Sequence, residues 1–533
     1  MYLIDAAREK LSISNDKHIL VHISDNLLNF SMFFDILTIR FALEKKLYQL
    51  IISRLNGEEI HLKSYQKKIF ELIEKGIGGF IIFGGKKEEV RNFIGKMQSV
   101  SEMPLFVASD IERGAGQQIQ GCTSFPCQMA MAAATDTDGT EDLLKLRDTV
   151  TAIADEAKDV GINMPLIPVL DVNRDPDNPI ICTRAFSDSP EDVARLGSEY
   201  IKILESSNLI SCAKHFPGHG DTSEDSHILL PVINKSYKNL IETDIMPFKE
   251  AISAGVSSIM IGHLSIPAID HKPASISKKI ISNILRAEMG FDGLILTDAL
   301  TMKALQDIKS VCSQCIEAGA DILLHPADPD STVKQLMRAV KTHEITENQI
   351  DAAFQRIVKA KEKIANIERR EIDYHRNAVL SMQITDTSIS LLKNTSGILP
   401  ISDKNKVQLI FAGDSELFEA SPLKNYFKNV SKIDERIELR NSLAIFAIFT
   451  SIAAWKGSSG IDDNEKSRIH ELIKQAKHSI IISFGSPYVL RHFKEADILI
   501  AAYEATEQAQ SAVIKCLEGH LNFKGHLPVK IDL

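Results

Sequence analysis

Three histidines, three acids, one lysine and two glycines occupy the fourteen residues Lys214–His227. Such a set can bind a polar ligand and move protons. Imidazole titrates at about pH 6.5, and a nearby carboxylate can orient the ring and stabilise its protonated form. Asp225 and His227, two residues apart, suit that role. A solvated polar loop is the plainer alternative. The density of titratable groups and their position after an apolar run favour function. A second candidate is Asp298, which follows the apolar run Leu294-Ile295-Leu296. A carboxylate at a strand end can attack a substrate carbon. It can equally cap a helix starting at Ala299. His215, His219 and His227 could be zinc ligands, but Lys214 would repel a cation and the spacing fits no familiar zinc pattern. No metal and no organic cofactor is therefore expected.

The elements that position these groups follow from the apolar runs. Leu209-Ile210-Ser211-Cys212-Ala213 reads as a buried strand with Lys214 and His215 at its tip. Gly218 and Gly220 allow the chain to turn sharply beyond it. Further strand candidates are 79–83, 105–108, 165–170, 258–261, 294–296 and 321–324. These runs are continuous rather than alternating, which implies strands buried on both faces of a parallel sheet. They alternate with amphipathic helical stretches from about Leu47 onward, as in an α/β barrel or a doubly wound sheet. Polar groups follow many of them: Asp110, Asp171, Lys214-His215, His263, Asp298 and His325. Convergence at the carboxyl ends of many strands favours the barrel. Thr346-Glu347-Asn348-Gln349 is a capping-type start for a helix over 347–364. Glu368-Arg369-Arg370-Glu371 reads as a solvated linker. A second α/β rhythm follows, with strands at 407–412, 443–448, 479–483 and 497–501 and helices over 464–476 and 506–517. The run Ser388–Asn394 is too short for periodicity to separate helix from strand.

The organisation expected is an α/β chain: a (β/α)8 TIM-type barrel over 41–367, a linker over 368–385, and a smaller open α/β sandwich domain over 386–533. Residues 1–40 stay unassigned. Ile19–Ile23 could be a strand there, and 27–37 is apolar without clear periodicity.

The chain has 533 residues, 44% hydrophobic and 25% charged, with a net charge of -10. These are the proportions of a globular protein with more than one core. The acidic balance argues against a nucleic-acid partner. No run has the apolar length of a membrane span. The start, Met1-Tyr2-Leu3-Ile4-Asp5, lacks the order of a signal peptide, so a cytoplasmic location without membrane contact is expected. Seven cysteines, an odd number, suggest reduced thiols. Cys312-Ser313-Gln314-Cys315 lacks a second pair to complete a metal site and lies in a helical pattern ending at Gly319.

Lys214-His215-Phe216-Pro217-Gly218-His219-Gly220, followed by Asp225-Ser226-His227, resembles the signature of the β-N-acetylhexosaminidase branch of glycoside hydrolase family 3. Phe291-Asp292-Gly293 with Thr297-Asp298 resembles the family's nucleophile motif. The resemblance implies a barrel and a covalent mechanism with Asp298 as nucleophile. It implies that His227, oriented by Asp225, replaces the usual carboxylic acid/base. Asp110, Arg184, Lys214 and His215 correspond to sugar-binding residues, although each could instead belong to a structural ion pair. Asp171-Val172-Asn173 would support the site from behind. Gln117 and Gln118 stand where many single-domain relatives carry a further binding arginine. Gly485-Ser486-Pro487-Tyr488 and Ala502-Tyr503-Glu504 resemble the second domain of two-domain members. The implied activity is retaining exo-β-N-acetylglucosaminidase action on a small oligosaccharide, of cell-wall or chitin type. Alternatives are a phosphorylase using the same intermediate, since a histidine acid/base would not repel phosphate, and a non-catalytic sugar-binding relative. The sequence does not fix the oligomeric state.

Overall fold

The computed structural model describes residues 41–135, 140–226, 229–365, 370–439, 442–453 and 456–533. Residues 43–533 form one compact unit. The strand expected at 19–23, the apolar stretch 27–37, His227 and the first half of the charge run at 368–371 lie outside the described residues.

Eight parallel strands carry the first part of the unit. They are β1 (Ile51–Asn56), β2 (Gly79–Phe83), β3 (Phe106–Ser109), β4 (Met164–Pro165), β5 (Cys212–Phe216), β6 (Ser258–Ile261), β7 (Leu294–Thr297) and β8 (Leu323–Leu324). One sheet has the order β8-β1-β2-β3-β4, and a second has β5-β6-β7. Parallel bridges link them at two places, Val169 to Lys214 and Leu296 to Ile322. β6 and β7, Ser-Ile-Met-Ile and Leu-Ile-Leu-Thr in sequence, are buried at every position. That is the pattern of strands covered on both faces.

Three strands differ from the sequence expectation. The run 165–170 forms only the short β4 and the isolated bridge at Val169, because Pro165 and Pro168 have no N–H to give to a ladder. β5 begins three residues later than expected, so Lys214 and His215 lie inside the strand and not beyond its tip. β1 was not anticipated: Arg54 and Asn56 interrupt its apolar run. The helix Glu347–Ile364 starts with the reciprocal capping box of Thr346 and Gln349, which satisfies two otherwise orphaned backbone donors.

A further six-stranded sheet follows, with β9 (Ser390–Asn394), β10 (Val407–Gly413), β11 (Asn429–Lys432), β12 (Leu443–Phe449), β13 (His478–Phe484) and β14 (Ile498–Ala501). Its order is β9-β14-β13-β12-β10-β11. Only β9 runs antiparallel to its neighbour. The run at 388–394 is thus an edge strand, preceded by the helix Tyr374–Ser388. Cys127, Met129 and Cys182 from the first part pack into the apolar core of this sheet with Tyr488 and Tyr503. The Tyr488 hydroxyl donates to the Asn173 carbonyl (3.0 Å). The Ser187 hydroxyl donates to the Pro528 carbonyl (2.6 Å). Cys312 and Cys315 are buried free thiols on the helix Val311–Ala318, which ends at Gly319 in a left-handed conformation.

Candidate active site

The carboxyl ends of the parallel strands open into a cavity of about 600 Å3. Asp110 enters it from the residue after β3, Lys214 and His215 from β5, and Asp298 from the residue after β7. Arg184 reaches it from the loop before the helix Pro190–Ser206. The β5–β6 ladder shifts register between Ala213 and Phe216, the stretch that carries Lys214 and His215. Such irregularities re-aim side chains next to binding sites. After β5 the chain turns at Gly218, whose φ is +126°, with the Asp244 side chain packed against it. Gly220 passes so close to the Val172 carbonyl that a Cβ would lie 1.9 Å from its oxygen. A side chain at 220 would push the polar loop off the Val172 backbone.

The charges in the cavity wall form one network around Glu112. Arg184 grips the Glu112 carboxylate with two parallel bonds, both 2.8 Å. The Lys214 ammonium lies 2.8 Å from Glu112 Oε1 and 2.8 Å from Asp110 Oδ1. Burial opposes the charge on Glu112, but Arg184 and Lys214 outweigh it and hold its pKa well below the ordinary carboxylate value. Burial likewise opposes the charge on Lys214, and Asp110 and Glu112 reverse that and raise its pKa. Glu112, Arg184 and Lys214 therefore stay ionised across the neutral range. Asp110 is the member most open to the cavity, with a side chain 35% exposed. Behind His215, buried Asp171 accepts from its Nδ1 (2.7 Å), from its backbone N–H (3.2 Å) and from the His219 N–H (2.7 Å). The Nδ1 contact fixes the ring and leaves Nε2 as the nitrogen that can face a ligand.

Asp298 Oδ1 accepts from the Ala299 N–H (2.7 Å), and its own N–H donates to the Ile261 carbonyl (3.0 Å). No α-helix begins at Ala299; a turn leads to the short helix Lys303–Leu305. The cap alternative for Asp298 thus loses its helix. One wall of the cavity holds a carboxylate with no helix to cap, beside a charged set suited to hydroxyl and amide groups.

The family model for the N-terminal domain of glycosyl hydrolase family 3 matches residues 42–360. The chain belongs to glycosyl hydrolase family 3. β-Hexosaminidase A of Pseudoalteromonas piscicida is 28% identical over 548 residues, covering 87% of this chain and 91% of its own length. A solved family 3 β-N-acetylglucosaminidase from Paenibacillus sp. str. FPU-7 is 27% identical with a TM-score of 0.78, covering 92% of this chain and 99% of that one. A fungal multi-domain family 3 β-N-acetylglucosaminidase is 26% identical with a TM-score of 0.80, and this chain spans 61% of its length.

In this family 3 glycoside hydrolase the cavity has a second wall. Residues after β12 (Thr450 and Ser451), after β13 (Gly485) and after β14 (Tyr503 and Glu504) line it. The carboxyl ends of the two sets of strands therefore face the same space. Gln117 is also in the lining. Asp225 is buried, and its neighbour Ser226 reaches the cavity wall. His263 is buried, its ring between Ser275 Oγ (3.1 Å) and the Ala299 carbonyl (3.2 Å).

The sequence pattern did not mark Glu112 or Arg113, marked His219 only as a zinc ligand to be set aside, and marked Glu504 only within a resemblance. Glu112 lies two residues beyond Asp110, but its partners Arg184 and Lys214 are 72 and 102 residues away. His219 is buried against Asp171 and His215, and its ring nitrogens have no hydrogen-bond partner among the described residues. Burial lowers its pKa to about 4, so the ring is neutral at neutral pH.

Proposed function

We propose that the chain is a retaining exo-β-N-acetylglucosaminidase that removes terminal N-acetylglucosamine from cell-wall or chitin-type oligosaccharides. The observation that carries this reading is the cavity that gathers Asp298 with Asp110, Lys214 and His215. The names of its relatives, a β-hexosaminidase and a β-N-acetylglucosaminidase, support the choice of sugar. In this reading the two linked parallel sheets close as one (β/α)8 barrel over 41–367, and 386–533 is the smaller open α/β domain, with 368–385 between them.

Asp110, Lys214, His215 and Arg184 hold the terminal sugar. The Asp298 carboxylate attacks its anomeric carbon while the bond to the leaving oxygen breaks, and His227, oriented by Asp225, gives that oxygen a proton. Water then attacks the glycosyl-aspartate, His227 takes the water's proton, and Asp298 is released. Two inversions return the starting configuration. The ionised wall needs no change of charge during this sequence, so it orients the sugar and leaves proton transfer to the histidine.

The test is release of nitrophenol from the nitrophenyl β-N-acetylglucosaminide and from the corresponding glucoside, each with and without phosphate. The expected result is a higher kcat/KM on the acetamido sugar, independent of phosphate. Equal values refute the sugar assignment. Acceleration by phosphate, with a sugar phosphate as product, reassigns the chain as a phosphorylase.

A further inference from the structure

Glu504 has the geometry of a ligand contact and no place in the mechanism above. It stands on the loop after β14, across the cavity from the barrel strand ends. Tyr503, just before it, has φ of +62°, in the left-handed region that a bulky residue rarely occupies. The Tyr503 ring is buried, with its hydroxyl 2.7 Å from Ser390 Oγ. The Glu504 N–H closes back on the Ala502 carbonyl at 2.7 Å. Packing of the tyrosine thus holds an unfavourable turn that directs the next side chain at the first set of strands. Backbone strain of this kind persists where its surroundings over-determine it, and it collects at ligand sites.

One carboxylate oxygen of Glu504 is committed. Oε1 accepts from the Cys127 N–H (3.1 Å) and more distantly from Arg113 Nη1 (3.4 Å). Oε2 accepts no hydrogen bond from the described residues and belongs to a residue that lines the cavity, where a ligand hydroxyl can meet it. Burial raises the Glu504 pKa, which Arg113 only partly offsets. The Arg113 side chain, 45% exposed, lines the same cavity and adds donors beside it. Glu504 and Arg113 together make a neutral, hydrogen-bonding wall, suited to a hydroxyl-bearing ring and not to an ion.

We infer that Glu504, held by Arg113 and Cys127, contacts the leaving-group sugar and accepts a hydrogen bond from one of its hydroxyls at Oε2. This rests on the proposed glycosidase reading, in which the barrel wall holds the terminal sugar. The second sheet would then select substrates whose leaving group is itself a sugar.

The test compares two substrates with equally poor, alkoxide leaving groups: N,N′-diacetylchitobiose and methyl β-N-acetylglucosaminide. Only the first carries a second ring. Glu504→Gln keeps the shape and removes the charge. It should lower the ratio of kcat/KM, chitobiose over methyl glycoside, at least tenfold. An unchanged ratio overturns the inference. Equal losses on both, with the nitrophenyl glycoside spared, also overturn it and make Glu504 the proton donor instead. Should Glu504→Gln not fold, Arg113→Met on the exposed member of the pair is expected to lower the same ratio, and an unchanged ratio there overturns it equally. A wild type that cleaves no N-acetylglucosaminide overturns both this inference and the proposed function, whereas a wild type that cleaves all three substrates isolates the inference.

Discussion

Replacing Lys214 with methionine removes the cation that joins Asp110 to Glu112. The ammonium is nearly inaccessible, with a side chain 2% exposed, and makes two 2.8 Å contacts. Breaking a buried ion pair by deleting one partner costs about 3–5 kcal/mol. Two features place this case at the lower end. Glu112 keeps both bonds from Arg184. Asp110 is open enough to the cavity for water to screen it, and exposed charges lose little when unpaired. The expected loss is therefore ~3 kcal/mol. For domains of a few hundred residues each kcal/mol moves Tm by roughly 2–4 °C, and less in longer chains, which gives roughly 3–6 °C here. The same change removes a charged donor from the proposed sugar site. Such a bond contributes ~1.5–3 kcal/mol, or roughly 10- to 150-fold in kcat/KM. Arg184→Met removes two bonds to Glu112 and should cost more stability than Lys214→Met. The assays are thermal unfolding and initial rates on the nitrophenyl N-acetylglucosaminide. A Lys214→Met protein that melts at or above the wild-type temperature would refute the stabilising role of the network. Unchanged kcat/KM would refute the sugar contact.

His227→Ala should depress kcat/KM far more on a disaccharide than on the nitrophenyl glycoside, whose leaving group departs as a stable anion. Asp225→Ala should show a milder form of that pattern, and equal factors on both substrates would remove His227 from the acid role. His219 gives a stability prediction. Burial sets its folded pKa at about 4, with Asp171 opposing and His215 adding to the shift. The free imidazole value is about 6.5, so the unfolded chain binds the proton more tightly. This contribution to stability is complete above about pH 6.5 and is lost as the pH falls toward 4, by ~3 kcal/mol. His219→Asn should flatten chemical-denaturation stability across that window, and a slope equal to the wild type would contradict the assignment.

Much of this was legible in the sequence because burial on both faces leaves a continuous apolar run. The runs at 258–261, 294–296, 407–412 and 443–448 mark β6, β7, β10 and β12 almost to the residue. β1 escaped because Arg54 and Asn56 break its run, and β4 is short because its prolines cannot pair. Asp110, Lys214, His215 and Asp298 were marked by type and position and Arg184 by the family resemblance, and all five line one cavity. What was not legible is how they are wired. Glu112 is linked to Arg184 and Lys214 over separations of 72 and 102 residues, and no local pattern records that. The wall from the second sheet was equally hidden. Ala502-Tyr503-Glu504 stood out only as part of a resemblance, and its direction into the cavity depends on the left-handed turn at Tyr503.

The central claim is that Asp298 forms a covalent bond to the sugar. Incubation with a 2-acetamido glycosyl fluoride bearing a 5-fluoro substituent, which slows hydrolysis of the intermediate, allows that bond to be caught. Intact-mass measurement followed by peptide mapping of the denatured protein should find one added glycosyl group, on Asp298. The Asp298→Ala protein, folded by its melting curve, should acquire none and should lose nearly all turnover. A label on another residue, or an Asp298→Ala protein that keeps most of the wild-type rate, would contradict the account.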